Sequence, residues 1–190
     1  MHANKTFPLA IALTGIAAPA LAVEQGETYL GGGFGMGNYT DEALSADYDP
    51  TFGTGRIGYG ITDHVAIEGR LGFDLSDDTQ PENPGSRTIK IDQIAGIYGV
   101  GYLPVVSEFS LYGLAGVVNV DVVERFVGPN SRDSTMVSET DFSYGIGAEV
   151  GFSNDMAAYV EWVHYFEKTD EVTAFEYDLT GVTIGAKYTF

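Results

Sequence analysis

The sequence contains no cysteine and few basic residues. Lysine and arginine together number 9, against 27 aspartate and glutamate residues, and the formal net charge is −18. Because cysteine is missing, neither a disulfide framework nor a thiolate metal site can form. The acidic balance disfavours nucleic acid and anionic lipid headgroups as electrostatic partners. The fold must therefore be held together by backbone pairing and side-chain packing alone.

Long apolar runs are also missing, except at the N-terminus. Residues 1–22 carry a basic Lys5, an apolar run over residues 7–18, and the small-x-small ending Ala20-Leu21-Ala22. This layout predicts a cleavable secretory signal peptide with cleavage after Ala22, since the run is too short to span a membrane as a helix. Residues 23–190 would then form one exported domain.

Glycine is abundant, and one glycine-rich stretch matches a nucleotide-binding motif. The stretch GTGRIGYG places Gly53, Gly55 and Gly58 at the G-x-G-x-x-G spacing of dinucleotide loops. Such a loop opens an amphipathic helix, but the residues RIGYGITDH contain further glycines, β-branched residues and a turn. We therefore expect no nucleotide site here.

After Val23 the chain alternates between apolar and small or polar residues with a period of two, which is typical of β-strands. In FSYGIGAEVGF, Ile146 and Val150 share one face, while Gly145 and Glu149 share the other. The fourth of these segments loses its parity around residues 92–95, which indicates a β-bulge. Eight segments are predicted as strands: 27–39, 51–62, 65–75, 88–102, 109–123, 139–152, 156–167 and 176–190.

The connections between these segments alternate between long and short. Those after the first, third, fifth and seventh segments are long and polar, whereas the others, TDH, PVVSE and SND, are tight. An even number of antiparallel strands with all short turns at one end predicts an all-β, up-and-down transmembrane barrel of the bacterial outer-membrane type. The short turns and both termini would then lie in the periplasm, with the longer loops outside the cell.

The two faces of the strands indicate which side meets lipid. One face is mostly Gly, Ser and Thr with a few charges, which is too little polar surface for the exterior of a soluble barrel. The apolar face would also overfill a narrow eight-stranded lumen. We therefore expect apolar side chains to contact lipid. In the glycine motif, Gly53 and Gly55 then face lipid, while Gly58 and Gly60 face the lumen.

The last segment carries the pattern of a known family. In GVTIGAKYTF, residues Ile184, Tyr188 and the terminal Phe190 share one apolar face. With YLGGGFGMG and YVEWVHYF, this segment resembles the OmpA/OmpX-like outer-membrane β-barrel family across residues 23–190. The resemblance implies a porin-like, monomeric protein of the Gram-negative outer membrane, in contact with lipid and lipopolysaccharide. It also implies that Tyr188 and Phe190 form the signal read by the outer-membrane assembly machinery.

Strand parity places six ionisable residues on the inner face. Because an unpaired ion away from water costs several kcal/mol, these three bases and three acids are expected to pair. The luminal glycines would leave room for their long side chains. Two interpretations remain open, a structural network of ion pairs that plugs the lumen or a gated ion path. The six residues are Arg56, Glu68, Arg70, Glu149, Glu161 and Lys187.

Aromatic residues near the strand ends or on the presumed lipid face predict an interfacial girdle, with ligand stacking as the alternative. These residues are Tyr29, Tyr59, Tyr102, Tyr112, Phe152, Trp162, Tyr188 and Phe190.

Catalysis has little support in the sequence. The lipid A deacylases of this architecture use a histidine and a serine two residues apart on a strand, but here Phe166 stands two residues after His164. His64 lies alone in the tight turn TDH, and no histidine pair has the spacing of zinc ligands. We therefore expect neither an enzyme nor a bound cofactor.

The long loops are rich in acidic residues, as in TDEALSADYD, DLSDDTQPEN and TDEVTAFEYD. They predict a solvated acidic rim, with weak binding of Ca²⁺ or Mg²⁺ as the alternative. Two functions fit these patterns. One is a non-catalytic barrel with a plugged lumen and a structural and surface-contact role, and the other is a small or gated pore.

Overall fold

The computed structural model describes residues 23–41, 46–76, 78–82, 85–128, 132–169 and 176–190. Within these ranges no helix is long and apolar enough to cross a membrane, a finding that does not bear on crossing by strands. The predicted signal peptide and its cleavage site after Ala22 lie outside the described residues.

The described chain forms eight long strands and two short ones. Their bounds are β1 Thr28–Asp41, β2 Ala46–Tyr48, β3 Thr51–Thr62, β4 Val65–Ser76, β5 Asp78–Glu82, β6 Gly85–Val106, β7 Phe109–Val127, β8 Arg132–Gly151, β9 Met156–Thr169 and β10 Glu176–Thr189.

The eight long strands close into a ring. Each pairs antiparallel with the next long strand along the chain. The first and last strands also pair with each other, from Tyr29 opposite Thr189 to Asp41 opposite Tyr177. The predicted eight-stranded up-and-down barrel is therefore confirmed. Over the membrane-spanning part, neighbouring strands pair with each other around the whole ring, which is what a sheet in lipid requires.

The exposed residues confirm the predicted orientation of the faces. Ile146 and Ile184 are 67% and 66% exposed on the outside of the barrel. Glu149 and Lys187, from the opposite faces of the same strands, are buried in the lumen. The apolar outer surface of the barrel thus faces the acyl chains, as expected for a transmembrane barrel.

The long connections contain more strand than the sequence indicated. The predicted loop over residues 124–138 is mostly a continuation of β7 to Val127 and of β8 from Arg132. Two other predicted loops contain the short strands β2 and β5, which pair with β1 and β6. These segments escaped prediction because both faces of a strand above the membrane meet water, so no apolar alternation marks them.

The predicted irregularity in the fourth segment is present. The register between β6 and β7 shifts between Ile91 and Gln93, which leaves Asp92 as the extra residue of a bulge. Another shift occurs between Leu179 and Thr180 of β10, which leaves Tyr165 of β9 as an extra residue. Because of this bulge, Tyr165 and Phe166 of β9 both occupy buried positions.

Apolar side chains fill the lumen on both sides of a charged centre. Toward the short turns, Val23, Ala66 and Val100 are buried. Toward the long loops, the rings of Phe52 and Tyr165 meet edge to face, with their centroids 6.1 Å apart. Several other buried apolar residues surround this ring pair: Ile94, Val118, Val120, Val163, Phe166 and Leu179.

Candidate functional site in the barrel lumen

Two arginines and two glutamates form a closed set of contacts at the centre of the lumen, here called the Arg–Glu quartet (Arg56, Glu68, Arg70 and Glu161). Arg56 Nη2 and Arg70 Nη1 each lie 2.9 Å from Glu161 Oε1. Arg70 Nε donates to Glu68 Oε2 at 2.6 Å, and Arg56 Nη1 lies 3.9 Å from the same oxygen. Each arginine therefore contacts both carboxylates.

The strand register explains why this set needs members from distant strands. Arg56 on β3 is paired directly with Arg70 on β4, on the same face of the sheet. Like charges in that position repel. Glu68 lies two residues before Arg70 on β4, whereas Glu161 comes from β9 across the lumen. Together the two carboxylates neutralise the guanidinium groups. The quartet has no net charge, which is the condition for burying ions at tolerable cost.

The remaining two predicted residues form a separate pair nearer the short turns. Lys187 Nζ lies 2.8 Å from both carboxylate oxygens of Glu149. Both side chains are almost fully buried. The ammonium group also lies 4.9 Å and 4.8 Å from the ring centroids of Tyr29 and Tyr102. The structure thus brings the six predicted residues together in two neutral groups.

Tyrosines connect and surround these groups, and three of them lie on the opposite face of the sheet from the one predicted. Tyr29, Tyr102 and Tyr112 were predicted in the interfacial girdle, but they are 0%, 6% and 4% exposed inside the lumen. For Tyr29, strand parity indicates the lumen, because Tyr29 alternates in step with the luminal Gly31 and Gly33. Tyrosine is amphipathic and suits either face, so its type alone does not choose between them. The other girdle residues are exposed on the outside: Tyr59, Phe152, Trp162, Tyr188 and Phe190.

The misassigned tyrosines hold the carboxylates in place. Tyr29 donates its hydroxyl to Glu68 at 2.6 Å and lies 3.1 Å from the Tyr102 hydroxyl. Tyr112 donates to Glu161 at 2.9 Å. Each buried carboxylate of the quartet therefore accepts a hydrogen bond in addition to its ion pairs, which a buried charge requires.

The guanidinium groups lie against two further tyrosine rings. Arg56 Cζ is 3.7 Å from the ring centroid of Tyr159, and Arg70 Cζ is 5.0 Å from that of Tyr98. Tyr98 in turn donates to Ser143 Oγ at 3.1 Å. These ring contacts add cation–π stabilisation in a setting without bulk water.

Luminal glycines provide the space for this arrangement. A Cβ at Gly58 would overlap the ring of Tyr29, and one at Gly147 would overlap that of Tyr112. A Cβ at Gly31 would lie 2.8 Å from Cγ of Arg56. Gly31 therefore makes room for an ionic side chain, as predicted. At Gly58 and Gly147, tyrosine rings occupy the space instead. Gly58, the last glycine of the G-x-G-x-x-G match, is required by a tyrosine rather than by a phosphate.

The packing around the quartet leaves little free space on its long-loop side. A cavity of about 20 Å³ lies between Thr54, Arg70, Tyr98, Glu161 and Tyr165. A volume of this size holds roughly one water molecule.

The two histidines in the described part of the chain, His64 and His164, have different surroundings. The ring of His164 stacks on Tyr144, with centroids 4.9 Å apart and planes at 14°. Its Nε2 lies 3.7 Å from Glu167 Oε2, and Phe166 is buried. His64 is exposed in the turn between β3 and β4. Over the described residues, no group of three or more potential ligands is placed to hold a metal ion.

Solved structures of several bacterial barrels share this fold. Ail, the attachment invasion locus protein of Yersinia pestis, was solved in complex with the heparin analogue sucrose octasulfate. It is 15% identical and matches with a TM-score of 0.59 over 87% of this chain and 99% of its own. Neisserial surface protein A is 9% identical, with a TM-score of 0.62 over 87% of this chain and 100% of its own. OprG from Pseudomonas aeruginosa is 10% identical, with a TM-score of 0.58 over 90% and 99%.

The comparison with curated protein sequences gives no match. The family model described as "Outer membrane protein beta-barrel domain" matches residues 9–190. This match covers nearly the whole chain and agrees with the closed ring, its apolar exterior and the small barrels that share its fold. The chain therefore belongs to the outer-membrane β-barrel family and lies in the outer membrane of a Gram-negative bacterium.

Proposed function

We propose that this protein is a non-catalytic outer-membrane barrel whose lumen is closed and whose loops make contacts outside the cell. The observation that carries the proposal is the Arg–Glu quartet. Its charges neutralise each other, its carboxylates are bound by Tyr29 and Tyr112, and an apolar layer covers it toward the long loops. Because these side chains meet one another's charges and hydrogen bonds, the lumen does not need a continuous file of water to solvate them.

A small or gated pore is the second candidate. The observation that favours it is that ions, rather than apolar side chains, occupy the centre of the lumen. For ions to pass, Arg56 and Arg70 would have to exchange their shared carboxylates for other partners. Breaking such a buried pair leaves uncompensated charges and costs about 3–5 kcal/mol, so a conducting state would be scarce without an effector.

Conductance across planar bilayers distinguishes the two candidates. We expect refolded protein to give no steady conductance, while its heat-dependent gel mobility shows that the barrel is folded. The neutral double variant Arg56→Ala with Glu161→Ala removes half of the quartet and leaves Arg70 paired with Glu68. It should conduct. Steady conductance of the unmodified protein would contradict the closed lumen.

The absence of catalysis is part of the same proposal. Phe166 lies where a serine would be needed beside His164, whose ring is stacked on Tyr144. We expect lipopolysaccharide incubated with the refolded protein to keep its mass. A loss of acyl chains that is abolished by His164→Ala would instead show a lipid-modifying enzyme.

The surface role is proposed for a monomer in contact with lipid and lipopolysaccharide. The acidic loops would bind Ca²⁺ or Mg²⁺ weakly and so approach lipopolysaccharide phosphates through the cation. With a net charge of −18, this chain is expected not to retain a polyanion such as the heparin analogue found with Ail.

A further inference from the structure

A groove of about 800 Å³ crosses the outer face of the barrel wall beside Arg56 and Arg70. Its base lies at Gly55, Gly69 and Ala95, outward positions with little or no side chain. A Cβ at Gly55 would meet nothing within 4 Å, and the nearest neighbour of one at Gly69 would be Cγ2 of Ile57, at 3.6 Å. Exposed apolar side chains form the walls: Leu30, Ile57, Leu71, Ile97 and Val117.

The strand register shows that this outer groove runs obliquely up the barrel wall. One row of paired residues passes from Leu30 through Ile57 and Gly69 to Ile97 and Val117. Leu30 is the third residue of β1, close to the short turns. Val117 is the ninth residue of β7, which also begins at the short turns. The outer groove therefore rises toward the long loops as it passes from β1 to β7.

Three polar side chains lie at the upper end of the outer groove. Asn119 on β7 is paired with Thr140 on β8, and both line the groove. Asn119 Nδ2 donates to Thr140 Oγ1 at 3.0 Å and to Ser138 Oγ at 3.1 Å. On the same face of β7, the apolar Val117 lies below Asn119 and the acidic Asp121 lies above it. These polar side chains therefore mark the level at which the hydrocarbon of the outer leaflet ends.

The hydrogen bonds within this polar group determine what it can offer a ligand. The hydroxyls of Ser138 and Thr140 accept from Asn119, so their own hydrogens are directed to other acceptors. Asn119 donates through its nitrogen and presents its Oδ1 as an acceptor. An amide, which has a carbonyl next to an N–H, matches both functions. An ester has no N–H and matches only the hydroxyl donors.

The length and slope of the outer groove suit a single acyl chain. Neighbouring strands lie about 4.8 Å apart, so the five spacings from β1 to β8 give a path of roughly 24 Å. The hydrocarbon core of a bilayer is about 30 Å thick, so one leaflet is about 15 Å deep. A chain that starts at Asn119 and follows the oblique path toward Leu30 thus descends through the outer leaflet.

We propose that the outer groove binds one amide-linked acyl chain of lipopolysaccharide, with the amide at Asn119 and the hydrocarbon over Gly55 and Gly69. The position of the polar end selects a lipid of the outer leaflet. Lipopolysaccharide carries amide-linked acyl chains, whereas the chains of common phospholipids are linked by esters. A second copy of the barrel would bring an apolar wall to the groove and leave its polar end unmatched.

This inference rests on the proposed contact with lipopolysaccharide and gives that contact a site on the barrel wall. The test uses the protein refolded in detergent micelles and mixed with lipid A or with a phosphatidylethanolamine of equal chain length. Native mass spectrometry counts the lipid molecules that stay bound. EDTA is present throughout, because it removes the cation-mediated contact proposed for the acidic loops.

Two matched double variants address the outer groove itself. Gly55→Leu with Gly69→Leu fills it, whereas Gly99→Leu with Gly113→Leu adds the same side chains to the outer face away from it, where a Cβ meets only backbone oxygens at 3.9 and 4.0 Å. We expect the parent and the second variant to bind lipid A equally, and the filled variant to bind it at least tenfold more weakly. Heat-dependent gel mobility should be the same in all three proteins. If the filled variant does not refold, Gly55→Leu alone repeats the comparison.

Asn119→Leu tests the polar end of the outer groove. This substitution keeps the size of the side chain and removes its amide. We expect the parent to bind lipid A at least tenfold more tightly than phosphatidylethanolamine. Asn119→Leu should bind the two lipids within twofold of each other, because the acceptor that recognises the N–H of the amide is gone.

Three results would overturn the inference. The first is a filled variant that binds lipid A as tightly as the parent does. The second is an equal loss of binding in both double variants, which would show that the groove has no special part in the contact. The third is equal binding of lipid A and phosphatidylethanolamine by the parent, which would show that the amide is not recognised. Each of these leaves the closed lumen untouched, because conductance tests that proposal separately.

Discussion

Glu149 and Lys187 illustrate how a single buried residue depends on its partner. Their side chains are 3% and 4% exposed, and the ammonium group is 2.8 Å from the carboxylate. In Glu149→Ala, Lys187 keeps its charge without a counterion. We expect a loss of about 3–5 kcal/mol in the free energy of unfolding, measured by urea titration in detergent micelles.

The double variant Glu149→Leu with Lys187→Met is the control for this effect. It removes both charges and leaves two apolar side chains of similar length between the tyrosine rings. Because replacing a buried ion pair by apolar residues is often neutral or stabilising, most of the lost stability should return. If Glu149→Ala unfolds like the parent, the pair contributes nothing measurable and the account of the lumen is wrong.

Gly58 and Gly55 form a matched test on one strand. A Cβ at Gly58 would overlap the Tyr29 ring, whereas one at Gly55 meets nothing within 4 Å. Gly58→Val should therefore destabilise the barrel by roughly 1–3 kcal/mol through overpacking. Gly55→Val should be neutral or stabilising, because valine favours strands and the site faces lipid. Equal effects of the two substitutions on the urea midpoint would contradict the assigned faces.

The strands show how far sequence patterns reach and where they stop. All eight membrane strands were predictable because lipid on one side and a small lumen on the other impose an alternation of period two. That constraint disappears above the membrane, so the sequence pattern predicts loops where the extensions of β7 and β8 and the short strands β2 and β5 lie. The pairing of Glu161 with arginines on distant strands depends on barrel closure, which local patterns do not contain.

The last strand carries the proposed assembly signal. Tyr188 and Phe190 meet edge to face with centroids 4.9 Å apart, and Phe190 N donates to Thr28 O at 2.9 Å. We expect Phe190→Ala to lower the amount of folded barrel in outer-membrane fractions several-fold while purified protein still refolds in detergent. Phe152→Ala removes another exposed aromatic at the same end and serves as the control. Equal membrane levels for all three proteins would exclude Phe190 from the signal.

The whole molecule combines an apolar exterior, the neutral Arg–Glu quartet at its centre and an acidic surface outside the membrane. Eight strands enclose a lumen that side chains fill, so the charges inside it affect the stability of the barrel. The net charge of −18 affects which partners approach the surface. Both consequences depend on the direction in which the two faces of the sheet point.

The single tryptophan of the chain measures this direction without any substitution. Trp162 on β9 is paired with Ile146 and Val182 on the outer face and is 37% exposed. In bilayers of lipids with brominated acyl chains, we predict strong quenching of its fluorescence and little quenching by iodide in the water. Fluorescence that brominated chains leave unchanged would place Trp162 away from lipid and contradict the account.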